Sequence, residues 1–452
     1  MINEPFDPKL FKKKRACVIG LGRSGQAAAK LLLKKGFPVF GTDTRPRTEV
    51  KQALGRLAAR MKWEGGGHSE KALRCAFAVK SPGLPPSAPI LGELKSAGIP
   101  IFSEIEVALA FCKSREIIAI TGTNGKTTTA ALAGAVFNAR VCGNIGVPLS
   151  EIVELIGPKD PVVLEVSSYQ LEDSRFFHAK AAAILNITAD HIDHHGTMAA
   201  YIEAKARIFK DQEPGDACVF NAGDPLTYKL SRRCPSQRLY FGPAAAGTHA
   251  WVENGKIHIR LPGSRKTIVL DPPKLPGGHN LENAMAAALL GLSRGIRLPA
   301  LKKAFKAFKG VEHRLEETPS VRGLRCINDS KATNVDSTLV ALKSLPEADK
   351  NILLILGGLH KGSPYAPLRP LIEKGVKAVL SIGSAARKIE EDLGGAIHIF
   401  PCGDLSTAID TALKIGAKGD ILLLSPACAS FDQFKNFEDR GRQFKELLEK
   451  KR

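Results

Sequence analysis

Short runs of β-branched and other apolar residues recur along the chain, each ending in a glycine-rich turn and followed by a longer Ala-, Leu- and Lys-rich stretch. ACVIG (16–20) leads into GRSGQAAAKLLLKKG, EIIAI (116–120) into TGTNGKTTTAALAGAVF, and NILLIL (351–356) into GGLHKGSPY and the segment beyond. This alternation of strand-like and helix-like segments is the mark of α/β architecture with parallel strands. Three such starts predict three domains, each with its own sheet. The Pro/Ser-rich SPGLPPSAP (81–89) reads as a rigid turn region, and the first boundary is expected near Ser103, before the helix-like EIEVALAF. The second is expected near Gly310, where the lysine-rich amphipathic LKKAFKAFKG ends on a glycine. The expected division is 1–104, 105–309 and 310–452.

A chain of 452 residues is longer than one core comfortably serves, which agrees with several domains. With 44% hydrophobic and 24% charged residues it is a folding rather than a disordered sequence. A net charge of +20 favours polyanionic ligands, nucleic acid or nucleotides. Aromatic residues make up only 6% and no nucleic-acid reader motif appears, so the expectation is no nucleic-acid partner. Nine scattered cysteines without a CxxC pair argue against a disulfide framework or a cysteine zinc site and fit a reducing, cytoplasmic setting. Apolar runs such as ILLIL fall far short of the ~20 residues of a membrane span, and no credible signal peptide precedes them.

The strongest chemical signal is TGTNGKTTT (121–129), between an apolar strand and an Ala-rich helix. Backbone N–H groups of Gly122, Thr123, Asn124 and Gly125, with the helix N-terminus at Thr127 and Thr128, form an anion cradle there. Lys126 would neutralise β- and γ-phosphates, and the Thr127 hydroxyl can ligate Mg²⁺. The spacing departs from the strict P-loop, because Gly122 lies two residues closer to Gly125 than usual. In PVVLEVSSYQLE (161–172) a strand ends on Glu165, where Mg²⁺ is expected in a domain that already has a phosphate loop. GLGRSG (20–25) followed by Asp43, 18 residues beyond Gly25, matches a dinucleotide fingerprint, or else a tight βα turn without a ligand.

Other segments are ambiguous when read alone. NITADHIDHHG (186–196) crowds Asp190, His191, Asp193, His194 and His195 together, as metal or phosphate chemistry would, or as a polar loop with one structural histidine. Within GGHNLENAMAAA (277–288), Asn280 and Asn283 either read a base or cap a helix. Arg314 in VEHRLE, with Asp329 and Lys331 in INDSKATN, suits a ribose and a transferred phosphoryl group. Ser430, Phe431 and Phe437 of SPACASFDQFKNFEDRG (425–441), with Lys361, could bind a small carboxylate, or be a turn with core aromatics. YIEAKARIF (201–209) reads locally as a plain helix, with Glu203 and Arg207 spaced for an i,i+4 pair and Lys205 in solvent.

Taken in order, TGTNGKTT, GNIG (143–146), EVSSYQLE, NITADHIDHH, HNLEN, NDSKATN and SPACASFDQFKNFEDRG resemble the motifs of the Mur ligase family over nearly the whole chain. The last motif resembles the D-glutamate-adding branch, and the DNPR-type motif of the diaminopimelate- or lysine-adding relatives does not appear. The resemblance implies an N-terminal Rossmann-like domain, a central P-loop-type ATPase sheet and a C-terminal Rossmann-like domain. It implies an ATP-dependent amide ligase of peptidoglycan precursor synthesis, joining D-glutamate to UDP-N-acetylmuramoyl-L-alanine through an acyl phosphate, with Mg²⁺ as cofactor and a monomeric state.

By the same resemblance, Gly22, Arg23 and Ser24 lie near the pyrophosphate, and Asp43, Thr44 and Arg45 near uracil, with Ser81, Pro82 and Gly83 in that pocket. Asn144, Ser167, Gln170 and His191 face the muramoyl-alanine arm. ATP is met by the 122–128 loop with Asn280, Asn283, Arg314 and Asp329, and D-glutamate by Thr333, Lys361, Ser430, Phe431 and Phe437. The metal positions are Thr127, Glu165, His191 and Lys205, the last carbamylated by CO₂, which requires a neutral amine. Lys126, His191, Lys205 and Lys331 are the catalytic candidates. A sibling ligase adding another amino acid, a nicotinamide dehydrogenase, a nucleic-acid-stimulated ATPase and a non-enzymatic scaffold are the competing readings. The dehydrogenase leaves Lys126, Glu165 and the C-terminal motif without a role.

Overall fold

The computed structural model describes the chain except residues 1–4, 145, 246, 276, 346–349 and 361. Strand-like runs and glycine turns form three wound sheets flanked by helices, the α/β class that the alternation predicts. The chain packs into two compact units, Met1–Pro273 with His279–Phe308, and Lys274–Gly278 with Lys309–Arg452.

The first unit holds two of the sheets. One is parallel throughout, in the order Lys62–Gly65, Val39–Asp43, Ala16–Ile19, Phe77–Lys80, Ile101–Ser103. The other has nine strands, in the order Ile268–Leu270, Lys256–Ile259, Ala250–Glu253, Gln237–Phe241, Ala217–Asn221, Ala181–Ile184, Ile117–Thr121, Val162–Glu165, Arg140–Gly143. It is parallel from Arg140–Gly143 to Ala250–Glu253 and ends in an antiparallel meander. The second unit carries six strands, Glu316–Val321, Leu324–Asn328, Ile421–Leu424, Ile352–Gly357, Val376–Ile382 and Ile399–Gly403, with only the first antiparallel.

Each sheet is buried on both faces, as parallel sheets demand. In the central sheet Ile118, Ile120 and Val163 point into one core, while Ile117, Ala119 and Leu164 point into the other. Leu354 and Leu423 oppose Leu353 and Leu422 in the same way in the second unit. This alternation explains why the strands read as unbroken apolar runs.

In such sheets a ligand crevice opens at the carboxyl ends of the strands, where successive connections run to opposite sides. The first sheet has that point between Ala16–Ile19 and Phe77–Lys80, and the central sheet has it around Ile117–Thr121. Among the described residues no helix is long and apolar enough to cross a membrane.

Candidate functional site

Ile117–Thr121 lies between Val162–Glu165 and Ala181–Ile184, so three loops leave its carboxyl end side by side. The first is the glycine loop. Gly122 (φ +156°) and Gly125 (φ +83°) occupy backbone conformations that favour glycine, and a Cβ on Gly125 would overlap the Asn283 amide oxygen. Helix Lys126–Phe137 begins immediately afterwards. Asn186 braces the loop, accepting from Asn124 N at 2.8 Å and donating to Asn124 O at 3.2 Å. The Thr123 hydroxyl lies 3.1 Å from Tyr201 Oη and accepts from Thr188 N. Asn283 accepts from the Thr129 hydroxyl and donates to Asn280 Oδ1, so the amide pair of helix His279–Ser293 is tied into this loop. Nothing in the local sequence marks Asn186 as its brace.

Two lysines end on one carbonyl. Lys126 Nζ donates to Gly122 O and Thr123 O, both at 2.8 Å, and Lys205 Nζ donates to Gly122 O at 2.9 Å. Lys205 is 1% exposed, and its Nζ sits 4.4 Å from the Tyr201 ring centroid. Burial, then the Lys126 charge, push its pKa well below the ordinary lysine value against a smaller opposing pull from Asp190. The solvent-facing Lys205 of the local reading is therefore corrected. So is the Glu203–Arg207 pair: Glu203 binds Arg233 instead, and Arg207 donates to the Glu172 and Ser174 carbonyls. Helix Met198–Lys210 turns its Lys205 face inward because Tyr201, Ala204, Ile208 and Phe209 on the same side fill the core.

Glu165 closes the second loop. One carboxylate oxygen accepts from Asn144 Nδ2 at 2.9 Å; the other is buried with no hydrogen-bond partner among the described residues. An unmatched anionic oxygen costs free energy unless a cation meets it. Ser167 and Gln170 form a capping box at the start of helix Ser168–Glu172, which accounts for their spacing without a ligand. In the third loop His191 has a left-handed backbone (φ +55°) secured by Asp190, whose side chain accepts from His191 N and lies 3.3 Å from His191 Nε2. Burial lowers the His191 pKa, Asp190 opposes this, and Lys126 and Lys205 lower it further, which favours a neutral imidazole. Lys126, Thr127, Glu165, His191 and Lys205 thus come from adjoining loops and the helix behind them. The buried carboxylate oxygen without a partner among the described residues and the hydroxyl are oxygen donors of the kind a hard divalent cation takes, and His191 adds a neutral imidazole.

At the first sheet, GLGRSG makes the tight turn that the spacing predicts. A Cβ on Gly25 would overlap Gly20 O, and Ser81 Oγ donates to that same carbonyl at 2.7 Å. Gly22 caps helix Arg23–Lys34, and exposed Arg23 and half-buried Ser24 open it. Thr44 and Gly83 are exposed, and Pro82 is half-buried beside Ser81. Asp43 accepts from Leu21 N at 2.7 Å and from the Arg45 backbone and guanidinium. Burial alone would raise its pKa, but these bonds outweigh burial and hold it at about 2. Lys80, which the motifs do not single out, is buried and paired to Asp173 at 2.6 Å.

In the second unit, Asp329, Lys331 and Thr333 follow strand Leu324–Asn328, and Ser430 follows Ile421–Leu424. Asp329 is buried, accepting from Ser425 Oγ at 2.8 Å and Leu315 N at 3.2 Å, and burial pushes its pKa up to about 7. Lys331 lies over the Phe437 ring, 5.9 Å from its centroid, and Arg314 is half-buried. Phe431 is 68% exposed, so it is not a core aromatic; Phe434 packs against the core instead. Lys361 falls outside the described residues. Arg440, given no role by sequence, is fully buried and ties the carbonyls of Cys428, Ala429 and Ser330 together.

Family models match the chain in three consecutive stretches: a Mur ligase MurD-like N-terminal domain over 14–103, a Mur ligase middle domain over 120–291, and a Mur ligase glutamate ligase domain over 313–428. The chain belongs to the Mur ligase family, whose members use ATP and Mg²⁺. It is 46% identical over 98% of its length to a protein of Elusimicrobium minutum named UDP-N-acetylmuramoylalanine--D-glutamate ligase, of which it covers 99%. A protein of the same name from Koribacter versatilis is 42% identical, with 97% of each chain covered. The crystal structure of the UDP-N-acetylmuramate-alanine ligase MurC from Thermotoga maritima matches at a TM-score of 0.61 and 20% identity, covering 97% of this chain and 100% of that one, a likeness of fold.

Proposed function

We propose that the chain joins D-glutamate to UDP-N-acetylmuramoyl-L-alanine at the expense of ATP, in peptidoglycan precursor synthesis. The observation that carries the chemistry is the convergence of a glycine loop, two lysines and the unmatched Glu165 oxygen at one strand end. The relatives named for this reaction, similar from end to end, support the choice of substrates.

A carboxylate resists amide formation because its oxygen is a poor leaving group, so the alanyl carboxylate attacks the γ-phosphorus of ATP and becomes an acyl phosphate. The 122–128 backbone and Lys126 hold the phosphates in line, and Asn280 and Asn283 hold the base. Mg²⁺, when bound by Thr127, Glu165, His191 and Lys205, neutralises charge spread over the phosphoryl oxygens. The D-glutamate amine then attacks the acyl carbon, and phosphate leaves. The amine proton goes to a nearby carboxylate, or to His191 where its lone pair is not taken by the metal; unchanged turnover in His191→Gln would withdraw the latter role.

Gly22, Arg23, Ser24, Asp43, Thr44, Arg45 and Ser81 to Gly83 take the uridine diphosphate, and Asn144, Ser167 and Gln170 the muramoyl arm. Arg314, Asp329 and Lys331 serve the nucleotide; Thr333, Lys361, Ser430, Phe431 and Phe437 serve D-glutamate. The depressed Lys205 pKa supports carbamylation: the neutral amine adds to CO₂, releases a proton and presents a carboxylate to the metal. Domain limits at 104/105 and 309/310 belong to the same reading, as do a monomeric, cytoplasmic enzyme and no nucleic-acid partner.

The test is phosphate release from ATP with the uridine-sugar substrate, offering D-glutamate, L-lysine, diaminopimelate or L-alanine in turn. Release that responds to D-glutamate alone is expected. An equal response to all four, or to none, overturns the substrate assignment.

A further inference from the structure

Three groups of histidine and carboxylate side chains are close enough to share an ion among the described residues: Glu172 with His194 and His195, His178 with Glu213 and Asp216, and Glu312 with His313 and Glu316. In two of them a lysine already supplies the positive charge. Lys180 Nζ lies 3.0 Å from Asp216 Oδ1, and Lys445 Nζ lies 2.6 Å from Glu312 and 3.0 Å from Glu316. Around the Glu172 carboxylate no lysine or arginine ion pair is present among the described residues; the two imidazoles face it, and the Arg207 guanidinium binds the backbone carbonyl of the same residue.

The geometry is that of a partly assembled ligand set. His194 Nε2 lies 2.9 Å from Glu172 Oε2, His195 Nδ1 lies 3.7 Å from Glu172 Oε1, and the three ligand atoms fall within 4.8 Å of one another. Tetrahedral Zn²⁺ with bonds near 2.0–2.1 Å places neighbouring donors about 3.3 Å apart, between the two separations found. The His195 side chain is fully buried, and its Nδ1 has no hydrogen-bond partner among the described residues. Its Nε2 sits 3.0 Å from Ser168 Oγ. The tautomer that donates Nε2–H to that hydroxyl turns the Nδ1 lone pair toward the carboxylate, the orientation in which both can meet one cation, whereas the other tautomer turns Nδ1–H toward Glu172.

Neighbouring groups shape the site without blocking it. Tyr169 covers one side, its ring centroid 4.0 Å from His194 and 5.6 Å from His195. Glu172 also lines a cavity of about 300 Å³, together with Lys80, Asp173, Arg175 and Arg207. We propose that Glu172, His194 and His195 form a site for a borderline divalent cation of the Zn²⁺ class, separate from the Mg²⁺ position at Glu165, with Ser168 orienting His195. Glu172 ends helix Ser168–Glu172 and the histidines end Ile192–His195, so the ion staples the two loops that carry Glu165 and His191.

The test uses the full-length, untagged chain, stripped by a chelator and dialysed against Zn²⁺ in a large excess of Mg²⁺, with bound zinc counted by elemental analysis. One zinc per chain is expected, and it raises the melting temperature. His194→Gln and Glu172→Gln should each weaken binding at least tenfold, and Ser168→Ala on the order of tenfold, while Glu165→Gln retains the ion. Co²⁺ in its place should give tetrahedral ligand-field absorption that His194→Gln abolishes. Zinc-free circular dichroism of each variant reports folding; a misfolded variant is replaced by the other ligand's variant. Absence of stoichiometric zinc, or zinc lost in Glu165→Gln but kept in His194→Gln, overturns the proposal.

Discussion

After strand Ala16–Ile19, and again after strand Ile117–Thr121, the chain makes a glycine turn into a helix of 12 residues. The two turns settle their polar groups differently. At the first, Asp43 is satisfied from within: Leu21 N and Arg45 occupy its oxygens, and Ser81 ties down the Gly20 carbonyl. At the second, two lysine Nζ atoms share the Gly122 carbonyl, and a buried Glu165 oxygen has no hydrogen-bond partner among the described residues. A satisfied turn is stable by itself and contributes shape. An unsatisfied one carries a standing electrostatic cost, as groups poised for chemistry do, and under the proposed function phosphate and metal would relieve it.

The largest effect that sharpens this contrast is catalytic. Glu165→Gln and Lys126→Ala should each lower phosphate release by about 10³-fold, because they remove charges that act on the transferring phosphoryl group. In Glu165→Gln the unfolding midpoint should stay at or above the wild-type value, since a buried charge is removed, whereas Lys126→Ala also gives up the bonds to Gly122 O and Thr123 O. A loss of activity that merely followed a loss of stability would erase the distinction between the two turns.

The glycines come next. Gly25→Ala drives a methyl into Gly20 O, a backbone atom that cannot swing away, and should cost about 2–4 kcal/mol in urea unfolding. Gly125→Ala meets a φ of +83° and the movable Asn283 side chain, so about 1–2 kcal/mol is expected, with a greater loss of ATP affinity than Gly25→Ala causes. The reverse order in both readouts would break the comparison.

Smallest are the pH effects. Asp43 is held at about 2 in the fold against 3.8 ordinarily, so in acid the unfolded chain takes up the proton first. Its contribution is present above about pH 4 and lost as pH falls through about 2, a slope that Asp43→Asn should lack in acid unfolding curves. Lys205 gives a slope of the same sign in a higher pH range. Its lowered pKa means that unfolding takes up a proton below the ordinary lysine value, so this term too gains stability as pH rises toward that value. Lys205→Met should remove that slope and raise the melting temperature by on the order of 1–2 °C, while ending turnover.

Much of this site was legible. TGTNGKTTT announced a glycine loop, and the loop's φ values require it. Glu165 at a strand end followed from an apolar run broken by one carboxylate, and both readings agree on where that strand stops. Ser167 and Gln170 took a substrate role only from the family resemblance, and here they make a capping box, a spacing that needs no ligand. Phe431 was ambiguous because an aromatic residue in a turn does not declare which way it faces; here it faces solvent. Asn186 and Arg440 had no signal, since neither belongs to a periodic pattern and each bonds to chain segments brought near by winding.

Alternation of strand and helix, glycine placement and the order of motifs are properties of neighbouring residues, governed by side-chain period and backbone sterics over a few positions. The amino-acid sequence therefore determined by itself the α/β class, the three sheets and the location of the glycine loop. Which charges are buried, and which partner each one finds, depends on what the opposite side of the core leaves vacant. Packing alone turned Lys205 inward, sent Glu203 to Arg233 rather than Arg207, and left one oxygen of Glu165 unmatched. Burial and pairing energies arise between residues far apart in sequence, so they come into being only when the sheets are wound.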